Sequence, residues 1–169
     1  MTETSIPEAV AKWEPMAKSC LKYPEISIDL VLALIWQESA GNPWAMRYEP
    51  RYQYFYNYRD GYPMYDGAQS VAGNRIKAQN SLGNTEFMAQ STSWGLLQIM
   101  GAAARERGFK ARYLSELCDP EANLIWGIKH LHEWGFNYVK LDIQPALTRW
   151  NGSAAYAGEV IEKLGLVQV

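Results

Sequence analysis

An almost uninterrupted apolar segment constrains the fold of this chain more than any other feature of the sequence. From Ile28 to Trp36 all residues but one are apolar. Ser27 precedes the segment as a candidate N-cap, and Gly41 follows it, so the sequence predicts a helix that ends near Ala40. A helix that is apolar on all sides is buried. We therefore expect the rest of the chain to pack around this central helix.

The remaining apolar patterns are mostly helical. Further helices are predicted after Pro7 (interrupted or divided at Pro15), at about 70–78, at about 94–107, from Asp119 to about Gly135, from Pro145 to Trp150, and from Tyr156 to Leu164. At 169 residues, of which 48% are hydrophobic, one domain spanning 1–169 is expected. Cys20 and Cys118 are expected to be free thiols, because two cysteines 98 positions apart make neither a disulfide framework nor a zinc motif.

Residues 44–92 differ from the rest of the chain because they are rich in tyrosine and in turn residues. Between Tyr52 and Tyr58 tyrosine occupies every second position, a period of two that indicates an extended segment or a short hairpin. Gly61 and Pro63 mark a turn. We expect an irregular insertion in an otherwise helical, mainly α domain.

Charge and hydropathy exclude several classes of partner. The net charge of −2 provides no basic excess, so nucleic acid is not expected to bind. The longest apolar run, Leu30–Trp36, is too short for stable membrane insertion. His130 and His132 are two positions apart and would face different sides of a helix, so neither a metal nor another cofactor is expected. The N-terminus lacks the pattern of a Sec signal, which predicts synthesis in the cytoplasm.

Glu38 is the candidate for acid–base chemistry. It lies four and seven positions after Leu34 and Val31, and therefore on their apolar face of the predicted helix. Burial and the negative end of the helix dipole both disfavour the carboxylate, so its pKa is expected to rise. A carboxyl that stays protonated near neutral pH can act as a general acid on a glycosidic bond. A different interpretation is that Glu38 meets solvent or an arginine at the helix end.

Four sequence segments resemble, in order, the motifs of soluble lytic transglycosylases and goose-type lysozymes. Ala33–Pro43 resembles the helix with the catalytic Glu-Ser pair, and Ser93–Met100 resembles the Gly-Leu-Met-Gln-Ile-Met segment. Asp119–Leu124 resembles the Asp-Pro-Glu-x-Asn helix. Ala146–Gly152 resembles the Ala-x-x-x-Tyr-Asn-Ala-Gly motif, and Tyr156 to Val160 the closing helix. The resemblance covers a core at about 26–164.

This resemblance implies a lysozyme-like, α+β fold and cleavage of the β-1,4 bond between N-acetylmuramic acid and N-acetylglucosamine in peptidoglycan glycan strands. Glu38 matches the catalytic acid. The substrate-binding positions are then Ser39, Ser93, Gln98, Met100, Trp150, Asn151 and Tyr156. In lytic transglycosylases one acid protonates the leaving oxygen and then takes the proton of the C6 hydroxyl, which closes a 1,6-anhydro ring. Neither a second carboxylate nor a metal is required.

Two departures from the family pattern matter for the mechanism. Trp150 stands where the family usually has tyrosine, so a hydroxyl that could bind the acid is expected to be missing. A tryptophan face could instead desolvate the acid and stack on a sugar. The insertion also contains Asp60, Asp66 and Glu86, any of which could hold a hydrolytic water, as acids do in goose-type lysozymes. In that case the enzyme would be a hydrolytic muramidase.

The sequence leaves open the role of the tyrosines and of the chain as a whole. The tyrosines could stack on sugar rings or simply pack the insertion against the domain. The chain could also be a non-catalytic glycan-binding component of a virion or a secretion apparatus. We expect a monomer that acts on the cell wall or in the periplasm, either after release as a phage lysin or as a virion-associated wall enzyme.

Overall fold

Three helices begin the fold in the computed structural model, which describes residues 6–138 and 142–167. They are α1 (Glu8–Ala11), α2 (Glu14–Cys20) and α3 (Ile28–Ser39). Pro15 lies in the first turn of α2, where its missing N–H costs no hydrogen bond, so the predicted interruption is a division into two helices. Ser27 accepts a hydrogen bond from the Leu30 amide and caps α3. Residues 30–35 are all buried, which confirms the central helix.

The tyrosine-rich insertion contains short strands and two helices. Its elements are β1 (Met46–Tyr48), β2 (Tyr56–Asn57), β3 (Tyr62–Pro63), α4 (Val71–Leu82) and α5 (Asn84–Gln90). β2 and β3 form the predicted short hairpin, in which Tyr56 faces Pro63. The insertion has an apolar cluster of its own, made of Phe55, Met64, Ala78, Leu82 and Phe87.

The helix predicted over 94–107 is wrong in its first half. The chain instead forms β4 (Thr92–Trp94), a tight turn and β5 (Ile99–Met100), and only then α6 (Gly101–Glu106). Gly95 and Gln98 have positive φ angles of 69° and 47°, which a right-handed helix does not permit. β4 pairs antiparallel with both β1 and β5, so the insertion is joined to this turn through a three-stranded sheet.

Helices close the fold around α3. They are a 3₁₀ turn (Leu114–Cys118), α7 (Pro120–His130), a π turn (Leu131–Gly135), a 3₁₀ turn (Phe136–Tyr138), α8 (Ile143–Asn151) and α9 (Ala154–Val167). Asp119 caps α7 as predicted, by accepting a hydrogen bond from the Ala122 amide. α9 begins before Tyr156 and continues through Gly165, where the sequence predicted its end. It packs along α3 and α8.

The architecture is the predicted one: a single compact domain, mostly helical, with a small sheet, consistent with an α+β lysozyme-like fold. Of the predicted domain 1–169, residues 1–5, 139–141 and 168–169 lie outside the described residues. Cys20 and Cys118 are buried free thiols. Within the described ranges, no helix is both long enough and apolar enough to span a membrane.

Candidate active site

Helices α3, α8 and α9 converge on the carboxyl of Glu38. Glu38 lies in the last turn of α3, beyond the buried stretch. The indole Nε1 of Trp150, on α8, donates a hydrogen bond of 3.0 Å to its Oε1. The hydroxyl of Tyr156, on α9, donates a short hydrogen bond to the same oxygen. Both donors fall on Oε1, and no hydrogen bond from the described residues reaches Oε2.

Burial raises the pKa of Glu38 above the ordinary range of a glutamate. The hydrogen bonds from Tyr156 and Trp150 act in the opposite direction, as does the charge of Arg47, because each stabilises the carboxylate. Burial has the larger effect, so the pKa of Glu38 is raised, as the sequence predicts. Burial and the neighbouring carboxylate raise the pKa of Tyr156 as well, so its hydroxyl remains a donor.

The expectation that the acid lacks a hydroxyl partner is wrong. Trp150 replaces the usual tyrosine, but its indole N–H is itself a donor to Glu38. The hydroxyl comes from Tyr156, which lies 118 positions away in the sequence and is buried. The motifs place Tyr156 in the closing helix, and only the packing of α9 against α3 brings it to the acid.

Ser39, Ser93 and Gln98 are committed to hydrogen bonds inside the protein. Ser39 Oγ donates to the Leu96 carbonyl at 2.8 Å, which joins the end of α3 to the β4–β5 turn. The amide nitrogen of Gln98 donates to the carbonyls of Ala45 and Gly95, both at 2.9 Å. Its oxygen accepts from Ser93 Oγ, also at 2.9 Å. These contacts favour a role in holding the backbone beside Glu38.

Asn123 of the Asp-Pro-Glu-x-Asn motif holds the same turn from the other side. Its side chain is fully buried. It donates to the carbonyls of Trp94 and Leu117, at 2.7 and 2.9 Å, and accepts from the Leu97 amide at 2.8 Å. A Cβ at Gly95 would lie 2.3 Å from its amide nitrogen, so that position requires glycine.

A cavity of about 580 Å³ lies where the insertion meets the helical part of the domain. Its lining combines aromatic residues of the insertion with residues of the helical part: Tyr52, Tyr54, Phe55, Tyr56, Pro63, Tyr65, Met100, Ala103, Glu106, His130, Trp134, Arg149, Asn151 and Gly152. The predicted binding residues Met100 and Asn151 are both among them. Glu38 does not line the cavity, but the ring of Trp150 lies 5.3 Å from that of His130, which does.

The three candidate water-holding acids all have partners elsewhere. Asp60 accepts a hydrogen bond from Asn57 in the β2–β3 hairpin, at 2.8 Å. Asp66 accepts from the Ala68 amide. Glu86 binds the buried guanidinium of Arg105 through both oxygens, at 2.8 and 3.1 Å. In the part of the chain that the structure describes, none of the three lines the cavity or hydrogen bonds to Glu38.

Two titratable residues of the cavity, Glu106 and His130, were not predicted to belong to a site. Glu106 is the one carboxylate among the described residues that line the cavity. The sequence carries no signal for this, because a charged residue near a helix end is ordinarily a solvated surface residue. Across the described ranges, no group of three or more His, Cys, Asp or Glu side chains could hold a metal ion.

Comparison with known protein families finds a family model that matches the chain. The sequence model of the family described as the Transglycosylase SLT domain matches residues 68–159, more than half of the chain. That range includes the β4–β5 turn, Asn123, Trp150 and Tyr156, while Glu38 precedes it. No curated protein and no solved structure matches the chain.

Proposed function

The chain belongs to the transglycosylase SLT domain family, whose activity is peptidoglycan cleavage of the lytic transglycosylase type, and on that premise we propose a mechanism with Glu38 as the single acid and base. The proposed substrate is a peptidoglycan glycan strand, cut between N-acetylmuramic acid and N-acetylglucosamine. The observation that carries the proposal is one partly buried carboxyl, its pKa raised by burial, with two hydrogen-bond donors on a single oxygen.

In the first step Glu38 acts as the acid. Because Trp150 and Tyr156 occupy Oε1, the proton resides on Oε2. It passes to the glycosidic oxygen as the bond from that oxygen to C1 of the muramic acid breaks. The N-acetylglucosamine leaves with a free 4-hydroxyl group. The carboxylate that forms is stabilised by the indole and hydroxyl donors, since hydrogen bonds to an ionised acceptor are the strong ones.

In the second step the same carboxylate acts as the base. It takes the proton from the C6 hydroxyl of the muramic acid, and the C6 oxygen bonds to C1. A 1,6-anhydro ring forms, Glu38 regains its proton, and no water is consumed. Hydrogen-bond donors that stabilise the carboxylate too strongly would slow this step, so the balance between burial and hydrogen bonding serves both halves of the reaction.

Glu106 supports a second candidate function, hydrolysis by a muramidase mechanism. It is an acid in the cavity lining and could hold a water there. An inverting hydrolase needs such a second carboxylate, about 6.5–9.5 Å from the acid. The two mechanisms make different products and assign different importance to Glu106.

Mass spectrometry of the fragments released from purified sacculi tests both functions. Ring closure yields 1,6-anhydromuramic ends, which borohydride does not reduce, whereas hydrolysis yields reducible ends that are heavier by one water. We expect anhydro ends from the wild type and from Glu106→Gln, and almost no release by Glu38→Gln. Reducible ends from the wild type, together with loss of cleavage in Glu106→Gln, would establish the hydrolase instead.

A further inference from the structure

We propose that His130 is a neutral hydrogen-bond donor to the glycan, and that Arg107 sets the ring nitrogen from which it donates. The proposal rests on the function proposed above, because it names a further contact to the same substrate. It assigns a binding role to a histidine that no motif in the sequence singles out.

His130 is placed between the cavity and the acid. It is the last residue of α7 and lines the cavity together with Met100 and Asn151. Its ring lies 5.3 Å from that of Trp150, tilted by 50°. Trp150 in turn donates to Glu38. A sugar that occupies the cavity would therefore meet the imidazole.

Arg107 determines the tautomer of this imidazole. Its Nε donates a hydrogen bond of 3.2 Å to Nδ1 of His130. A guanidinium has only donors, so Nδ1 holds a lone pair and the proton of the neutral ring is on Nε2. Arg107 is itself held by Glu133 at 3.2 Å and by Glu106 at 3.5 Å. Burial and the charge of Arg107 lower the pKa of His130 to about 3, which agrees with a neutral ring.

The remaining ring nitrogen is available to a ligand. No hydrogen bond from the described residues reaches Nε2, and in the same part of the chain every fully buried side-chain nitrogen and oxygen has a hydrogen-bond partner. Nε2 is therefore not fully buried, and the ring to which it belongs lines the cavity. Its N–H suits an uncharged acceptor, such as a hydroxyl or an acetamido carbonyl oxygen of a sugar.

A neutral ring also suits the acid, to which Trp150 connects it. An imidazolium beside Trp150, which itself contacts Glu38, would favour the carboxylate, because a positive charge stabilises the ionised form. A neutral N–H donor can bind the sugar without that effect. The Arg107 contact thus leaves the imidazole with one N–H donor and no charge of its own.

The test is ligand binding in a Glu38→Gln background, which prevents cleavage. The probe is the tetrasaccharide of β-1,4-linked N-acetylglucosamine, titrated by NMR with detection of the imidazole nitrogens. We expect His130 to show the Nε2–H tautomer near neutral pH, and its Nε2 resonance to shift on titration. His130→Leu should weaken binding about tenfold, the value of one hydrogen bond of roughly 1.4 kcal/mol. His130→Gln keeps an N–H donor and should recover most of the loss.

His132→Leu is the matched control, since this histidine lies two positions away and stacks on Tyr23. It should leave binding unchanged. An Nδ1–H tautomer, or an Nε2 resonance that does not move while the tetrasaccharide binds, would overturn the proposal even if His130→Leu failed to fold. Wild-type release of anhydro fragments would in that case leave the proposed function standing. No binding of the tetrasaccharide to the Glu38→Gln protein would also refute the role of His130.

Discussion

At the scale of single residues, the surroundings of Glu38 act on its pKa in opposite directions. Burial raises its pKa, and donors from two distant helices partly offset that rise. In the proposed mechanism the acid needs its proton in the ground state, whereas the carboxylate that follows must persist long enough to act as a base. One residue can do both only if neither influence is overwhelming, and this makes its pKa a sensitive probe of each neighbour.

Glu38→Gln should increase stability at neutral pH while removing activity. The folded-state pKa of Glu38 is raised, so its ionisation costs the native state more than the unfolded chain, and stability falls as pH rises through that pKa. The amide cannot ionise and keeps an acceptor for Trp150 and Tyr156. Thermal unfolding should show a higher Tm than wild type at neutral pH and a smaller difference below the ordinary pKa of glutamate.

The control for this prediction is Glu162→Gln, which replaces an exposed glutamate of α9. It should show no comparable dependence on pH. If the wild type were more stable than Glu38→Gln at neutral pH, the fold would stabilise the carboxylate. That result would contradict the upward shift in the pKa of Glu38.

Tyr156→Phe should move the alkaline limb of the activity profile to higher pH. Tyr156 lowers the pKa of Glu38 by donating to the carboxylate, so its removal lets burial raise that pKa further. The acid then stays protonated to higher pH, while the maximal rate falls because the carboxylate loses a donor. Initial rates of fragment release from sacculi, measured across pH, check this.

Tyr62→Phe provides the comparison, because Tyr62 is exposed on the β2–β3 hairpin and does not line the cavity. Its profile should coincide with that of the wild type. If the alkaline limb of Tyr156→Phe coincided with that of the wild type, the ionisation of Glu38 would not be the cause of that limb.

At the scale of elements, two side-chain amides shape the turn beside the acid. Gln98 binds it from within, and Asn123 binds it from α7. Gly95 adopts the left-handed backbone freely, whereas at Gln98 these contacts offset its strain. This backbone is why a segment with a helical pattern forms a strand and a turn instead. The Asp-Pro-Glu-x-Asn motif thus has a structural explanation in the position of its asparagine.

Asn123→Ala should destabilise the protein by about 3 kcal/mol. Three hydrogen bonds are lost, and the buried backbone groups of Trp94, Leu97 and Leu117 are left without these partners. Urea unfolding measures the change. Asn84→Ala, at an exposed asparagine that begins α5, should change stability by less than about 0.5 kcal/mol. Equal changes in the free energy of unfolding for the two substitutions would show that Asn123 does not stabilise the turn.

At the scale of the whole molecule, the cavity belongs to neither part of the chain alone. The insertion packs on its own apolar cluster, while α3, α7, α8 and α9 share the main core. The cavity lies where the two meet, so tyrosines from one part and Met100, His130 and Asn151 from the other face the same space. Tyr52 packs on the cluster. Tyr54 and Tyr65 are exposed at the cavity, where stacking on sugar rings stays a prediction.

Cleavage should not depend on a metal. The proposed proton transfers use Glu38 alone, and the sequence has no metal-ligand spacing. Excess EDTA should leave the rate of fragment release from purified sacculi unchanged. Purified sacculi are needed because chelators permeabilise outer membranes by themselves. A rate that falls with EDTA and returns with an added divalent ion would contradict the mechanism.

Local sequence patterns were sufficient for the features that depend on neighbours along the chain. The central helix and its Ser27 cap, the division at Pro15 and the hairpin all follow from residues within a few turns of one another. Hydrophobic periodicity, capping and turn chemistry act over that range. The order of the motifs was likewise enough to indicate the family.

Only the tertiary structure decided which side chains surround the acid. Tyr156 donates to Glu38 from 118 positions away in the sequence. Asn123 binds a turn whose Leu97 lies 26 positions before it. Glu86 binds Arg105 and so lies away from the acid. His130, at the end of α7, and Glu106, at the end of α6, line the same cavity as the aromatic residues of the insertion. Such contacts depend on how the helices are oriented about α3. The spacing of apolar residues within one helix does not determine that orientation.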